Sequence, residues 1–427
     1  MKIINNLIVG AGVSGLSYAA QLTDNDNIVI EKENEPGGYC RTVYQDGFTW
    51  DYAGHFFHFS TEEIKKFFDD RIPKSEMVQC EKKTGICYDE NTVIDYPFQT
   101  NIHQLPKEEF IDCLYDLFHR KLHDKYNSFE EMLYGKFGKS ITDKFLKPYN
   151  EKLYACDLNA LDTEAMGRFF PYAEPMSIIN NMREKNNQSY NSNFEYPIRG
   201  AIKFVDVLVK EIKKKNNARI ELNSTLERID IDRQIAIVNG ESYHYERLVN
   251  TIPLNMFVKM LPENISAGID KYFNCNKVLV FNLGFDKPSS VNGMHWLYFP
   301  KKKCNFYRVG FYDNIVGSDR MSLYVEIGFA RDEVIDFDEQ LKLTIDNLRA
   351  YHIIDKHELI AKNIVVMNPA YVHITDKSRQ LVNNMRTMLA DYNIYTIGRY
   401  GAWTYCSIED CMIEARSLVK KLNKICW

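Results

Sequence analysis

The sequence has no apolar run approaching the roughly 20 residues that a membrane-crossing helix requires. It also has no charged-then-apolar leader: Met1 runs straight into a strand pattern, and the expectation is a soluble, cytoplasmic protein with no membrane insertion. Basic residues are not in excess. The formal charge is −5, and the runs Lys213-Lys214-Lys215 and Lys301-Lys302-Lys303 are too short for a binding stripe, so no nucleic-acid partner is expected. Ten cysteines occur without any C-x-x-C pair, and the nearest neighbours, Cys80/Cys87 and Cys406/Cys411, do not have zinc spacing. They read as free buried thiols in a reducing compartment, with no bound metal. No Ser-His-Asp set and no paired carboxylates stand out. Glu409 and Asp410 are adjacent, and adjacent helix positions do not share a face.

What is present is a chain of 427 residues, long enough for two or three domains. Its 27 Tyr and 25 Phe supply a bulky core and leave material for an aromatic-lined pocket. Ile3 to Val9 is apolar, a glycine cluster follows, Leu16 to Leu22 has helical spacing, and Ile28 to Ile30 is apolar again: a βαβ unit. Long amphipathic helices are expected from Pro106 to Tyr154, over Glu108 to Lys125 and Ser128 to Phe137, with Ser128 and Glu131 as a capping box. Alternating segments at Lys277 to Phe285, Trp296 to Phe299, Tyr307 to Phe311 and Leu323 to Phe329 read as antiparallel strands. The fold class expected is α/β: a Rossmann-type dinucleotide domain with a helical insert and an antiparallel β-sheet domain. The dinucleotide domain takes residues 1–95, 191–250 and 351–427, the insert 96–190 and the sheet domain 251–350.

Gly10, Gly12 and Gly15 fit G-x-G-x-x-G at the turn of the βαβ unit. The first permits the tight turn, the second lets a pyrophosphate approach the backbone, and the third lets helix and strand pack closely. Glu31 ends the second strand, where an acid binds adenosine ribose hydroxyls. The glycine pair in Pro36-Gly37-Gly38-Tyr39-Cys40-Arg41-Thr42 is similar to the second FAD-contacting loop of amine oxidase-like flavoproteins, and it places Gly38 and Arg41 beside the cofactor. Gly398-Arg399 resembles the C-terminal FAD motif of that superfamily.

Further stretches resemble the UDP-galactopyranose mutases, nearer the eukaryotic branch than the typical bacterial one. They are Tyr52-Ala53-Gly54-His55, Tyr96-Pro97-Phe98-Gln99-Thr100-Asn101, Phe145 to Asn150, Trp296-Leu297-Tyr298-Phe299-Pro300, Phe306-Tyr307-Arg308 and Gly398 to Tyr405, in the family's order across nearly the whole chain. The resemblance implies interconversion of UDP-galactopyranose and UDP-galactofuranose without net redox change. FAD in its reduced form would be active, with N5 as the nucleophile, and NADPH or NADH stays open as reductant. The protein's task is then to position the sugar and hold the departing UDP.

By the same resemblance Arg308 and Arg399 match the diphosphate-binding arginines, which suit a planar bidentate site better than lysine. Tyr298, Tyr371 and Tyr405 match the phosphate-contacting tyrosines. Arg168, one residue off the family spacing, and His55 match groups beside the flavin. Tyr96, Phe98, Gln99, Asn150, Tyr154 and Asn191 match positions that bind uridine. Arg168, His55, Arg308 and Arg399 are the catalytic candidates, and Arg399 and His55 are also cofactor-side.

Two departures stand out: Ala53 replaces a glycine of Gly-Gly-His, a small change to that loop, and Cys406-Ser407-Ile408-Glu409-Asp410 replaces a Gly-Asn-Gln-Asp run that lies near sugar or flavin in the family, which bears on the sugar. The substrate stays open among UDP-galactose, its N-acetyl form and other nucleotide hexoses. An oxidoreductase of the amine oxidase or carotenoid desaturase type, and a catalytically idle flavoprotein, are the competing readings. The oligomeric state is open, a homo-oligomer included.

Overall fold

The computed structural model describes residues 1–23, 26–184, 192–215 and 218–422. The chain begins with β1 (Lys2–Val9), α1 (Val13–Gln21) and β2 (Asn27–Ile30). A hairpin follows, β3 (Thr84–Cys87) and β4 (Val93–Asp95), and then the helices α2 (Lys107–His119), α3 (Phe129–Ile141) and α4 (Lys147–Tyr154). Next come β5 (Ala218–Glu221), β6 (Leu226–Asp230), β7 (Ile235–Val238) and β8 (Glu241–Asn250). They are followed by β9 (Asn276–Phe285), β10 (Trp296–Tyr298), β11 (Arg308–Phe311), β12 (Ser322–Ala330) and β13 (Leu359–Met367). The chain closes with β14 (Ile394–Thr396) and α5 (Ile408–Leu422).

The first sheet has the order β6-β7-β8-β1-β2-β5, with β14 paired to the far end of β8. Around β1 it is parallel: β8, β2 and β5 run in its direction and β14 continues it beside β8, whereas β7 pairs antiparallel with both β8 and β6. The near-continuous apolar runs of β1 and β2 follow from burial on both faces. One face packs α1 and α5 through Leu16, Ala19, Met412 and Ala415.

The second sheet has the order β13-β9-β12-β11-β10-β3-β4, antiparallel except for β10 with β3. Alternation along its strands divides side chains between two cores. Leu279, Phe281, Val309, Leu323 and Val325 face one. Val278, Val280, Trp296 and Tyr324 face the other, which holds the aromatic side chains of the helical insert.

The sheet draws on more of the chain than residues 251–350. Its strands β3 and β4 come from the segment assigned to the first part of the dinucleotide domain, and β13 from the segment assigned to its last. The reason is edge protection: β13 covers the open side of β9 from Val278 to Phe285, and β3 covers β10.

Two helix ends also differ from expectation. α2 stops at His119 instead of Lys125, because Arg120 leaves helical geometry and its guanidinium turns back to Leu117 O. At α3, Ser128 Oγ accepts Glu131 N–H at 3.1 Å, but the Glu131 carboxylate caps Asn127 N–H at 2.7 Å, so half of the capping box forms.

Candidate active site

One cavity of about 860 Å³ runs from the glycine turn of β1–α1 to the inner face of the second sheet. At the first end the lining is mostly main chain. β1 ends at Val9, Gly10 turns with φ +102°, and α1 begins after Gly12, which has no side-chain cap among the described residues. The first-turn N–H groups are thus offered to an anion. Gly12 has open space where a Cβ would stand, whereas a Cβ on Gly15 would lie 2.1 Å from Gly10 O. Glu31, at the end of β2, accepts Ala11 N–H at 2.8 Å and Glu33 N–H at 3.1 Å. The Gly37-Gly38 turn closes over this end: Gly37 N–H donates to Ala11 O at 2.8 Å, and a Cβ on Gly38 would lie 3.4 Å from Gly12 Cα. Arg41 Nε donates to Gly38 O at 2.9 Å, and its guanidinium lies 4.7 Å over the Tyr52 ring.

At the second end the lining is aromatic and cationic. Arg399 follows β14; its Nη1 donates to Cys406 O at 3.1 Å, while its buried Nε has no partner among the described residues. The guanidinium lies 4.4 Å over the Tyr405 ring and 5.4 Å over Tyr371. These two rings stack at 5.9 Å and 15°. Arg308 on β11 faces Glu326 on β12 in register, and they join through Nε–Oε2 at 2.9 Å and Nη2–Oε1 at 2.6 Å. Glu326 is 1% exposed, so this is a desolvated ion pair held by bidentate geometry. Tyr298 accepts Trp296 Nε1–H at 2.8 Å and packs 4.9 Å from Tyr96.

Burial pulls the His55 pKa down to about 4, and the neighbouring charges of Arg399 and Arg308 push the same way, so the ring is neutral at neutral pH. Its Nδ1 lies 3.0 Å from Ala53 O. Burial pushes the Tyr371 and Tyr298 hydroxyls above the ordinary phenol value, so they remain donors.

Most residues singled out in the sequence meet at this cavity: Gly10, Gly12, Glu31, Gly38, Arg41 and His55 at the first end or along the middle, and Tyr96, Gln99, Asn150, Tyr298, Arg308, Tyr371, Arg399 and Tyr405 at the second. Gln99 Oε1 and Asn150 Oδ1 are buried there without a partner among the described residues. Arg168 also lines the cavity and pairs with Asp410 at 2.5 Å. Gly15 sits beneath the turn, as its packing task requires.

Two uridine candidates do not reach the cavity. Phe98 is fully buried and stacked 5.1 Å from Phe145. Tyr154 is fully buried and donates its hydroxyl to Ala165 O at 3.2 Å. Both are wall supports, because neighbouring turns of the insert claim their side chains first. Asn191 lies outside the described residues.

Glu326, Tyr149 and Tyr307 were missed as site residues and line the same cavity. For Glu326 a signal existed: it is the one charge in the apolar strand Ser322–Ala330. Of the altered segment, Glu409 turns away to cap Ser60 and Thr61 N–H at 3.0 and 2.8 Å, and Asp410 accepts from Ser407 and Arg168. Among the described residues no group of side chains could hold a metal ion, and no helix is long and apolar enough to cross a membrane.

Residues 8–71 match the family model of an NAD(P)-binding Rossmann-like domain. Over 47 residues the chain is 51% identical to a zeta-carotene-forming phytoene desaturase of Myxococcus xanthus, a match covering 10% of this chain and 9% of that protein. A crystal structure of reduced UDP-galactopyranose mutase superposes with a TM-score of 0.92 at 22% identity, over 99% of this chain and 94% of that one. A putative protoporphyrinogen oxidase from Exiguobacterium sp. 255-15 gives 0.76 at 16% identity, over 98% of each chain. The fold is therefore the dinucleotide-binding α/β fold shared by the mutase and the FAD-dependent oxidases, and the expected fold class holds.

Proposed function

We propose that the chain is a flavin-dependent mutase that interconverts pyranose and furanose forms of a UDP-hexose, of the UDP-galactopyranose/UDP-galactofuranose type, with reduced FAD as the active form. The observation that carries this reading is the convergence of Arg308, Arg399, Tyr298, Tyr371 and Tyr405 on the wall of one cavity that also takes in the glycine turn. An oxidoreductase acting on an amine or a polyene has no use for two arginines among hydroxyls there. The 47-residue desaturase match supports that alternative no further, since it covers 10% of this chain.

The residues present fit FAD. The uncapped first turn of α1 and the open space at Gly12 accept a pyrophosphate, Glu31 stands at the ribose position, and Gly38 and Arg41 close the loop. When bound, FAD supplies N5 as the nucleophile at the anomeric carbon.

The chain's own groups bind and orient. Arg399 brings a guanidinium held by Cys406 O and the Tyr405 ring, and Arg308 brings a charge already oriented by Glu326, so both charges are placed before the diphosphate arrives. Tyr298, Tyr371 and Tyr405 add neutral donors. Tyr96, Gln99 and Asn150 form the pocket for the uridine. Neutral His55 and the Arg168–Asp410 pair border the flavin side, and NADPH or NADH is the candidate reductant.

The test is to reduce the purified flavoprotein, incubate it with UDP-galactofuranose, and separate the sugar nucleotides by chromatography. Conversion that requires reduced flavin supports the mutase. UDP binding without conversion moves the substrate to another nucleotide hexose, and no UDP binding transfers the assignment to the oxidoreductase class.

A further inference from the structure

Where the resemblance expects a Gly-Asn-Gln-Asp run, this chain carries Cys406 and, five residues on, Cys411. Both line the cavity, and their sulfurs stand 3.6 Å apart. That contact is a local product of the turn into α5. Ser407 Oγ accepts Asp410 N–H at 3.1 Å, Asp410 accepts Ser407 N–H at 2.9 Å, and Cys411 N–H donates to Ser407 O at 3.2 Å. This cap folds residue 406 back over the first turn of α5 and aims one thiol at the other. Closing to a covalent bond needs the sulfurs to approach to about 2.05 Å.

The setting also makes Cys411 the attacking thiol. Its sulfur receives the Cys406 thiol, the Ser14 hydroxyl and the Arg399 backbone N–H, which outweigh burial and draw its pKa down. It also lies in the first turn of α5, where the helix dipole favours an anion.

We infer that Cys406 and Cys411 form a reversible disulfide, a thiol-oxidation site in the cavity wall that controls the placing of Arg399. The oxidant is a low-molecular-weight disulfide entering through the cavity. The Cys411 thiolate attacks one of its sulfurs and expels a thiolate. The Cys406 thiol then loses its proton, attacks Cys411 Sγ and expels the second thiolate. One external disulfide is reduced to two thiols while two protein thiols become one disulfide.

The consequence for the pocket follows from what residue 406 holds. Its carbonyl accepts Arg399 Nη1, and the preceding residue, Tyr405, lies under the Arg399 guanidinium. Drawing Cys406 toward α5 moves both supports of Arg399 together. Thiol oxidation therefore reads out at the ligand-binding arginine.

The experiment equilibrates the full flavin-bound protein with oxidised and reduced glutathione at a series of ratios, then alkylates it and maps peptides by mass spectrometry. Trypsin releases both cysteines in the one fragment 400–416, bounded by Arg399 and Arg416. The expected result is that this fragment loses both alkylation sites together, two hydrogens lighter, and regains them with dithiothreitol. UDP affinity should differ by about fivefold or more between the two forms, within the range of ordinary site-to-site coupling. The difference should vanish in Cys406→Ser and in Cys411→Ser.

A fragment that stays doubly alkylated, or that carries glutathione on one cysteine without closing, overturns the disulfide. A disulfide that leaves UDP affinity unchanged overturns the control of Arg399. If UDP binds neither form, the mutase reading fails while the thiol count still decides the disulfide.

Discussion

At the glycine end of the cavity the lining groups are main-chain N–H groups from one βαβ unit, whereas at the tyrosine end they are side chains scattered from Tyr96 to Tyr405. The first end recognises what every dinucleotide shares, so it needs atoms kept out. The second selects a particular ligand, so it needs atoms put in and held. Gly15 against Gly10 O and Arg308 against Glu326 are the clearest instances of each. Damage should follow the same division: added atoms break the first end and removed atoms break the second.

The largest effect is expected at the ion pair. Arg308→Ala leaves the Glu326 carboxylate buried and unpaired, and denaturant unfolding should show a loss of about 3–5 kcal/mol. Adding Glu326→Gln should restore most of that stability without restoring UDP binding. A single mutant of unchanged stability would mean that the pair is not desolvated.

Next comes Gly15→Ala, whose Cβ cannot coexist with Gly10 O 2.1 Å away. The turn must shift, at a cost of about 1–3 kcal/mol, and flavin content after purification should fall. Full flavin occupancy would show that the first end tolerates added atoms, and would break the comparison.

Arg399→Lys keeps the charge but loses the planar donors, so UDP affinity should fall about tenfold while flavin stays bound. Tyr405→Phe removes one hydroxyl and should weaken UDP by about 1 kcal/mol, measured by calorimetry. If flavin rather than UDP is lost in either variant, the boundary between the two ends lies elsewhere.

The last prediction concerns protonation. His55 should titrate by NMR with a midpoint of about 4 instead of its ordinary 6.5. Its folded value is depressed, so the unfolded chain binds more protons between these values. The His55 contribution to stability is therefore complete above about 6.5 and is lost as pH falls toward 4. His55→Gln should flatten that part of the stability profile.

The same division explains how legible each end was. The glycine turn, Glu31 and β2 lie within thirty-one residues and follow local rules, and β1, α1 and β2 fall within a few residues of expectation. On the second sheet, alternation placed β9 to β12 within a residue or two. Glu326 was missed because its role depends on cross-strand register, which strand patterns do not state. Phe98 and Tyr154 stand behind the cavity lining because a motif gives position along the chain, and which side of a wall a ring occupies is decided by packing. The sheet's outer strands β3, β4 and β13 escaped the domain division because edge pairing joins segments far apart in sequence.

That long-range pairing also sets the order of assembly. β1 can complete its parallel ladder only when β8 exists, since Lys2 stands opposite Tyr243, and β8 in turn receives β14 at Leu248 opposite Ile394. During synthesis the glycine turn emerges first and must wait, with its strand edge uncovered, for more than half the chain. Arg399, Tyr405 and both sulfurs arrive last of all, so a ribosome that stops short of residue 394 releases a chain with no ligand pocket to fill.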